Sequence, residues 1–566
     1  VREFITGFTG SAGTAVITEE DAGLWTDSRY FLQAEEQLSG SGISLYKAGL
    51  PGTIKIQDFL KQKLGEGSTV CVDGRLVSSG WAKKMRQALT GSYIDLQTNA
   101  DLAGDIWADR PPLVFGPVME YPLQYAGISR TDKIRTLRED MAKAGADLLI
   151  LSGLSDIAWL LNLRGRDIQC NPIFFSFVVL TAERVYLYAG EETFGPGLID
   201  ALRRDGIERK PYGSFYDQLE RMGEAAEAGE EGPAVLLDPE MCSERILQSI
   251  PESFRIIGRD SPVMQRKCIK NPVEIGGVHS AHLKDGVAVC KFLYWLKTNV
   301  GRMEIDELSA AEKLHEFRSR QELFRGDSFD AIVGYGPHGA IVHYSVTPES
   351  NVRLEPRSMV LIDSGGQYLD GTTDITRTVV LGPLSETEKR LFTAVLRGHI
   401  DLARAVFPKG LNGANLDYLA HGPLWQMGLD YRHSTGHGVG HYLNVHEDPN
   451  DIYWDERKMT PPMPPFEAGM LTSDEPGYYA DGAFGIRHES LLLCVEGEKT
   501  EYGQFLRFEE VTLAPFDLEG ILPDQMQQDE IEYLNRYHET VYEKIAPHLD
   551  AAEREWLREA TAPLKY

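Results

Sequence analysis

Four histidines fall within residues 433–446, in the stretch HSTGHGVGHYLNVHEDP: His433, His437, His441 and His446. The first three recur at every fourth position. On a helix that spacing would stack three imidazoles on one face, as a zinc stripe or a set of bases. Gly436, Gly438 and Gly440 argue against a helix, since each glycine costs roughly 1 kcal/mol in a helix interior. Extended or looped backbone is expected instead, with the glycines allowing close approach to a site. There the histidines need not share a face, and one ligand with others nearby is the expectation.

Carboxylates flank this segment on both sides. In MVLIDSGGQYLDGTTDITRTVVLG, residues 359–382, two apolar runs read as strands around a Gly- and Asp-rich turn. Asp363 closes the first run and Asp374 opens the second, so a hairpin can set them side by side. A carboxylate at the end of a buried strand is costly unless something pairs with it. The pattern repeats in GMLTSDEPGYYADGAFGIRHESLLLCV, residues 469–495. Here Glu475 ends one strand, Glu489 lies in the other, and Pro476 keeps the chain extended between them. Solvated turn acids would explain either hairpin alone. Both hairpins, with a histidine cluster between them, point to two hard divalent cations. Oxygen-rich donors favour manganese or magnesium, though zinc or cobalt can also bind. Two such ions about 3.5–4 Å apart activate water and polarise a carbonyl, which is hydrolytic chemistry.

The elements that must carry these groups lie mainly between residues 265 and 515. Long helices are predicted over 271–300 and 306–324, with mixed strands and helices after them and an amphipathic helix over 529–549. Before them, strands alternate with helices twice, which predicts two separate α/β layers. The strands include 14–18, 69–74, 146–153, FFSFVVL and VYLYAG; the helices include 56–64, 131–145 and DIAWLLNL. The proline-rich stretch 109–117 reads as a linker and the charged run 221–233 as solvated surface. The expected domains are 1–112, 113–264 and 265–566. GYGPHG at 334–339 matches a dinucleotide-binding spelling, but a β-like run rather than a helix follows it, so it reads as a turn.

The segments DSGGQYLDGTTDITRT, HSTGHGVGHYLNVHEDP, SDEPGYY and FGIRHES resemble the metal-site segments of the pita-bread metallopeptidases. They are most similar to the three-domain eukaryotic Xaa-Pro aminopeptidases. GFTGSAGTAVITEEDAGLWTDSRYFLQA and DIAWLLNLRGRDIQCNPIFFSF extend the resemblance across the chain. It implies two N-terminal α/β domains followed by a pita-bread (α+β) catalytic domain, the first domain being truncated at its start. It further implies that Asp363 chelates one metal, that Asp374 and Glu489 serve both, and that His437 and Glu475 complete the second site. His343 and His446 would act on the substrate, the latter on the tetrahedral intermediate. His433 would line the cleft near the proline. Arg487 would hold the ligand carboxylates, and Glu475 would be the base or proton shuttle. Two positions depart from the family: His488 and His441. Strand alternation turns His488 away from Arg487 and Glu489, so a satisfied or semi-exposed histidine is expected there. His441 reads as a bystander.

The implied activity is removal of an N-terminal residue ahead of proline, with manganese as the expected metal, in a cytoplasmic homodimer. A prolidase confined to Xaa-Pro dipeptides is the alternative. A ligand-depleted binding protein and a metal-free creatinase-like enzyme are disfavoured, because all five ligands are present. Composition agrees with an enzyme of this size: 566 residues, 42% hydrophobic and 25% charged. The net charge of −28 argues against a nucleic-acid partner. No run of apolar residues is long enough to predict a membrane span. Six scattered cysteines without a C-x-x-C pair suggest free thiols in a reducing compartment.

Overall fold

A computed structural model describes residues 1–222, 232–455 and 463–565 of the chain. Most of the charged run expected to be solvated, residues 223–231, lies outside the described residues. The chain divides into two units. One comprises Val1–Tyr121, Ile128–Asp167 and Ile173–Gln265; the other comprises Pro122–Gly127, Ile168–Pro172 and Arg266–Tyr566.

The first unit begins with a three-stranded sheet of Thr14–Ile17, Ala22–Thr26 and Ser44–Lys47. Thr69–Cys71 pairs in parallel with Asp95–Gln97. A six-stranded mixed sheet follows, its middle formed by Ser176–Thr181, Leu148–Leu151 and Ala234–Leu237. Leu148–Leu151 is buried at every position, as its unbroken apolar run predicts. Helix Arg130–Ala144 packs Ile134, Leu137 and Met141 inward, and the Ser129 side chain caps it by accepting from the Asp132 N–H.

The second unit opens with α1 (Pro272–Asn299), set by a capping box between Asn271 and Glu274. Helix α2 (Glu307–Ser319) follows. Next come β1 (Phe324–Asp327), β2 (Ile332–Tyr335), β3 (Met359–Ser364), β4 (Gly366–Tyr368), β5 (Gly371–Thr372) and β6 (Ile375–Val380). Strand β3 lies between β2 and β6, antiparallel to both. The small hairpin β4–β5 leaves that sheet and pairs with β1. Helices α3 (Glu386–Ala403) and α4 (Gly413–Trp425) lead to β7 (Gly436–His437). The second hairpin holds β8 (Leu471–Asp474), β9 (Gly477–Ala480), β10 (Phe484–Arg487) and β11 (Ser490–Thr500), with β12 (Gly503–Glu510) beside it. Helices α5 (Gln528–Ile545) and α6 (Ala551–Ala560) close the chain.

One core joins the helices to the β2–β3–β6 sheet, and a second packs β11 and β12 against α3 and α4. Phe292 and Leu296 of α1, Val360 of β3, Phe392 and Val395 of α3 and Val541 of α5 all lie in the first, each no more than 1% exposed. Each such side chain contributes about 1.5–3 kcal/mol of burial free energy.

The run after GYGPHG is not β-like. Gly336–Ala340 forms a short 3-10 helix and the chain then turns. The buried Glu307 carboxylate anchors this turn, accepting from the Tyr344 hydroxyl (3.0 Å) and bonding His338 Nδ1 (2.8 Å).

Candidate metal centre

The two hairpins share one device. In the first, the chain leaves the β3–β6 ladder after Ser364, forms the β4–β5 tip in another sheet, and returns at Ile375. In the second it leaves the β8–β11 ladder after Asp474, forms the β9–β10 tip, and returns at Ser490. Asp363, Asp374, Glu475 and Glu489 all sit at or beside these crossings. Glu489 is therefore not inside a strand, contrary to the sequence expectation. It lies in the break between β10 and β11, and its N–H is fixed by the Thr376 carbonyl of the other hairpin (3.0 Å).

His437 is brought to the same place by β7, which pairs with Asp451–Ile452. The segment 433–446 is not helical, as the glycines predict. A Cβ on Gly436 would lie 1.9 Å from the Ser473 carbonyl, and one on Gly438 2.2 Å from the Glu447 carbonyl. Only glycine allows the segment to lie against β8 and fold back on itself. Ser473 then bonds both the His437 N–H (3.0 Å) and Glu475 (3.1 Å).

Ligand atoms of Asp374, His437 and Glu489 lie within 4.8 Å of one another. His437 Nε2 is 3.5 Å from Asp374 Oδ2 and 3.4 Å from Glu475 Oε1. Its Nδ1 donates to the Gly438 carbonyl at 2.9 Å, which fixes the tautomer and turns Nε2 toward the carboxylates. Asp363 Oδ2 accepts from Arg487 at 2.5 Å, whereas its Oδ1 is buried with no hydrogen-bond partner among the described residues. Burial pushes the Glu475 and Asp374 carboxyls up, and burial together with the neighbouring carboxylates pushes Glu489 well up. Burial opposes a charge on His437, but Asp374 and Glu475 hold its pKa up at about 9. Four acids and one imidazole crowded together this way, one oxygen lacking any partner, fit divalent cations.

Arg487, expected beside the ligand carboxylates, heads a network whose other members, Thr376 and Tyr479, sequence reading missed. Arg487, 1% exposed, donates to Asp363, to Thr376 Oγ1 (3.2 Å) and to Tyr479 Oη (2.8 Å). Thr376 in turn donates to Glu489 Oε2 (2.7 Å). His433 Nδ1 bonds the Ser434 carbonyl (2.7 Å), which can only accept, so in the neutral ring Nε2 accepts from Tyr479 Oη (2.8 Å). Tyr479 thus joins His433 to Arg487. Nothing in EPGYY distinguishes Tyr479 from Tyr478; only the pairing of β9 with β10 does.

The remaining histidines separate clearly. His446 is exposed, its ring 4.2 Å from that of His437. His343 is half-buried in the turn after Gly336–Ala340, next to Val342, whose carbonyl faces Arg487 at 3.5 Å. His441 is buried, and its ring lies beside Gly277 of α1. His488 points away from the cluster, as alternation predicts, but it is not semi-exposed. It is 0% exposed between Phe392 and Phe516, and burial holds its pKa well below the ordinary value. The chain switches sheets at this residue, which places its side chain in the core behind the site.

Hairpins, cluster and N-terminal layers together define a metallopeptidase class. The profile of metallopeptidase family M24 matches residues 277–496, and that of the C-terminal region of peptidase M24 matches 504–564. The creatinase/prolidase N-terminal domain matches 2–107 and again 109–274. The chain belongs to the M24 family, with a pita-bread domain behind two creatinase-type domains. Within the family it is 40% identical to a probable Xaa-Pro aminopeptidase P of Laccaria bicolor, over 100% of this chain and 88% of that one. It is 37% identical to aminopeptidase P1 of Lotus japonicus, over 100% and 94%. A solved X-prolyl aminopeptidase from Caenorhabditis elegans, described as a cytosolic enzyme with a di-nuclear active site, superposes with a TM-score of 0.94. It is 34% identical over 100% of this chain and 92% of that one. No helix of the described residues is long and apolar enough to cross a membrane.

Proposed function

We propose that the chain is an Xaa-Pro aminopeptidase that releases the N-terminal residue of peptides with proline second. The carrying observation is the buried cluster of four carboxylates and His437 in a chain similar over its full length to aminopeptidases P. Asp363, Asp374, His437, Glu475 and Glu489 would hold two divalent cations, Asp374 and Glu489 serving both. The oxygen-rich donor set favours Mn2+ over Zn2+ or Co2+. When bound, the cations polarise the scissile carbonyl and make the attacking water acidic.

The chain's own residues do the rest. Proline presents a tertiary amide, so its nitrogen leaves only after it gains a proton. Glu475 accepts the proton of the attacking water and passes it to that nitrogen. His446 donates toward the oxygen on which charge develops, and His343 sits beside the substrate to help bind it or shuttle a proton. His433, oriented by Tyr479, lines the side of the cleft that takes proline. Arg487 holds Asp363 in place through their hydrogen bond. The domain division at about residues 112 and 264, the cytoplasmic location and the homodimer belong to the same reading.

Metal analysis together with cleavage of Xaa-Pro and Xaa-Pro-Xaa peptides tests the proposal. Cleavage of the longer peptides is expected, and Asp374→Ala should lose both metal and activity. Activity on dipeptides alone would make the protein a prolidase. Full activity without metal would overturn the site. Light scattering that reports a monomer would remove the dimer.

A further inference from the structure

Next to His446 lies a buried charge cluster that the proposed mechanism does not use. The Glu447 side chain is 1% exposed. Lys267 Nζ reaches Glu447 at 3.3 Å, and Lys270 Nζ forms a second, shorter ion pair with it. Both lysines are buried, their side chains 3% and 1% exposed. The Lys270 N–H donates to the Gly469 carbonyl (2.8 Å), and Asn271, the cap of α1, follows directly. Lys270 therefore stands directly before the cap of the 28-residue helix, and Lys267 ends the short helix Pro262–Lys267.

The loop that carries Glu447 folds back on itself. The Glu447 N–H donates to the Gly438 carbonyl (2.8 Å), and the Gly438 N–H to the Asn450 carbonyl (2.7 Å). Gly438 follows His437, and His446 precedes Glu447. Here Glu447 turns inward to the lysines while His446 turns outward against the His437 ring. A buried ion pair can often be replaced by apolar groups without loss of stability, so stability alone does not account for this one. Its geometric effect is specific: it fixes the residue that sets the direction of His446.

We propose that Glu447, gripped by Lys267 and Lys270, is the positioning residue for His446. The inference rests on the proposed placement of His446 toward the scissile carbonyl. Misplacing such a group by about 1 Å costs up to ~10²-fold in rate.

The test is steady-state kinetics on an Xaa-Pro-Xaa peptide, with metal content and Tm measured on each variant. Glu447→Gln should lower kcat roughly ten- to a hundredfold, with KM within about twofold and the metal complement retained. The uncharged variant Lys267→Met/Lys270→Met/Glu447→Leu should keep Tm near that of the wild type yet keep the low kcat. It also decides the matter if Glu447→Gln fails to fold. Glu447→Gln combined with His446→Ala should be no slower than His446→Ala alone. Wild-type kcat in the uncharged variant, or additive losses in the combination, would overturn the proposal. If His446→Ala is slow while Glu447→Gln is not, the positioning role falls and His446 keeps its place. If His446→Ala runs at the wild-type rate, the placement of His446 falls and the inference falls with it.

Discussion

At the scale of the residue, the site depends on a chain of donors as much as on its ligands. Arg487 supplies four separate acceptors, Asp363, Thr376, Tyr479 and the Val342 carbonyl, from a side chain 1% exposed, so a lost partner leaves a buried N–H unpaired. Tyr479→Phe removes one such acceptor and the donor to His433 together. It should cost about 1–3 kcal/mol in stability. It should also raise KM for Xaa-Pro-Xaa peptides more than it lowers kcat, because His433 is released while the carboxylates stay. Denaturant unfolding and a KM-against-kcat comparison check this; an unchanged KM would detach His433 from substrate binding.

At the scale of the element, the sheet crossings place the carboxylates. A strand that stays in its ladder alternates its side chains strictly between two faces. A strand that leaves one ladder for another escapes that constraint at the crossing, which is where Asp374, Glu475 and Glu489 lie. The histidine segment must then approach β8 more closely than any side chain allows. Gly436→Ala puts a methyl 1.9 Å from the Ser473 carbonyl, and backbone cannot swing aside as a flexible side chain would. The expected outcome is about 1–3 kcal/mol of destabilisation. Metal loss should accompany it, because Ser473 bonds both His437 and Glu475. Metal content and Tm measured on the purified variant decide it; full metal retention would mean that the two elements part without disturbing the ligands.

At the scale of the whole molecule, the C-terminal helices belong to the site's support. Arg377 on β6 donates to the Glu489 carbonyl, to the Ala514 carbonyl (2.8 Å) and to Tyr537 Oη on α5 (2.9 Å). Next to Tyr537, His538 Nε2 accepts the Phe516 N–H at 3.1 Å. Burial, with Arg377 adding to it, pushes the His538 pKa down to about 3. The folded state therefore needs the neutral ring. The stability this gives is present above the ordinary histidine pKa of about 6.5 and is lost progressively as pH falls toward 3. His538→Gln has no such titration. The unfolding free energy of the wild type relative to this variant should drop by about 2 kcal/mol between pH 7.5 and pH 5. Denaturant curves at the two pH values measure it, and an equal difference at both would show that the ring is not held neutral.

The sequence by itself determined the elements and the chemistry. Apolar runs bounded by Gly- and Asp-rich turns specify two hairpins. Alternate glycines rule out a helix at 433–446. The donor types, acids with one imidazole, specify hard cations. These are local consequences of backbone sterics and side-chain chemistry, legible one segment at a time. Only the tertiary structure decided which groups meet. It put Glu489 in a break rather than a strand, chose Tyr479 over Tyr478, buried His488 completely, and bound Glu447 to two lysines 177 and 180 residues away. The physical reason is the exchange of strands between sheets. The crossings bring the two hairpins together through bonds between residues more than a hundred positions apart, such as Thr376 with Glu489 and Asp363 with Arg487, and no local pattern records them.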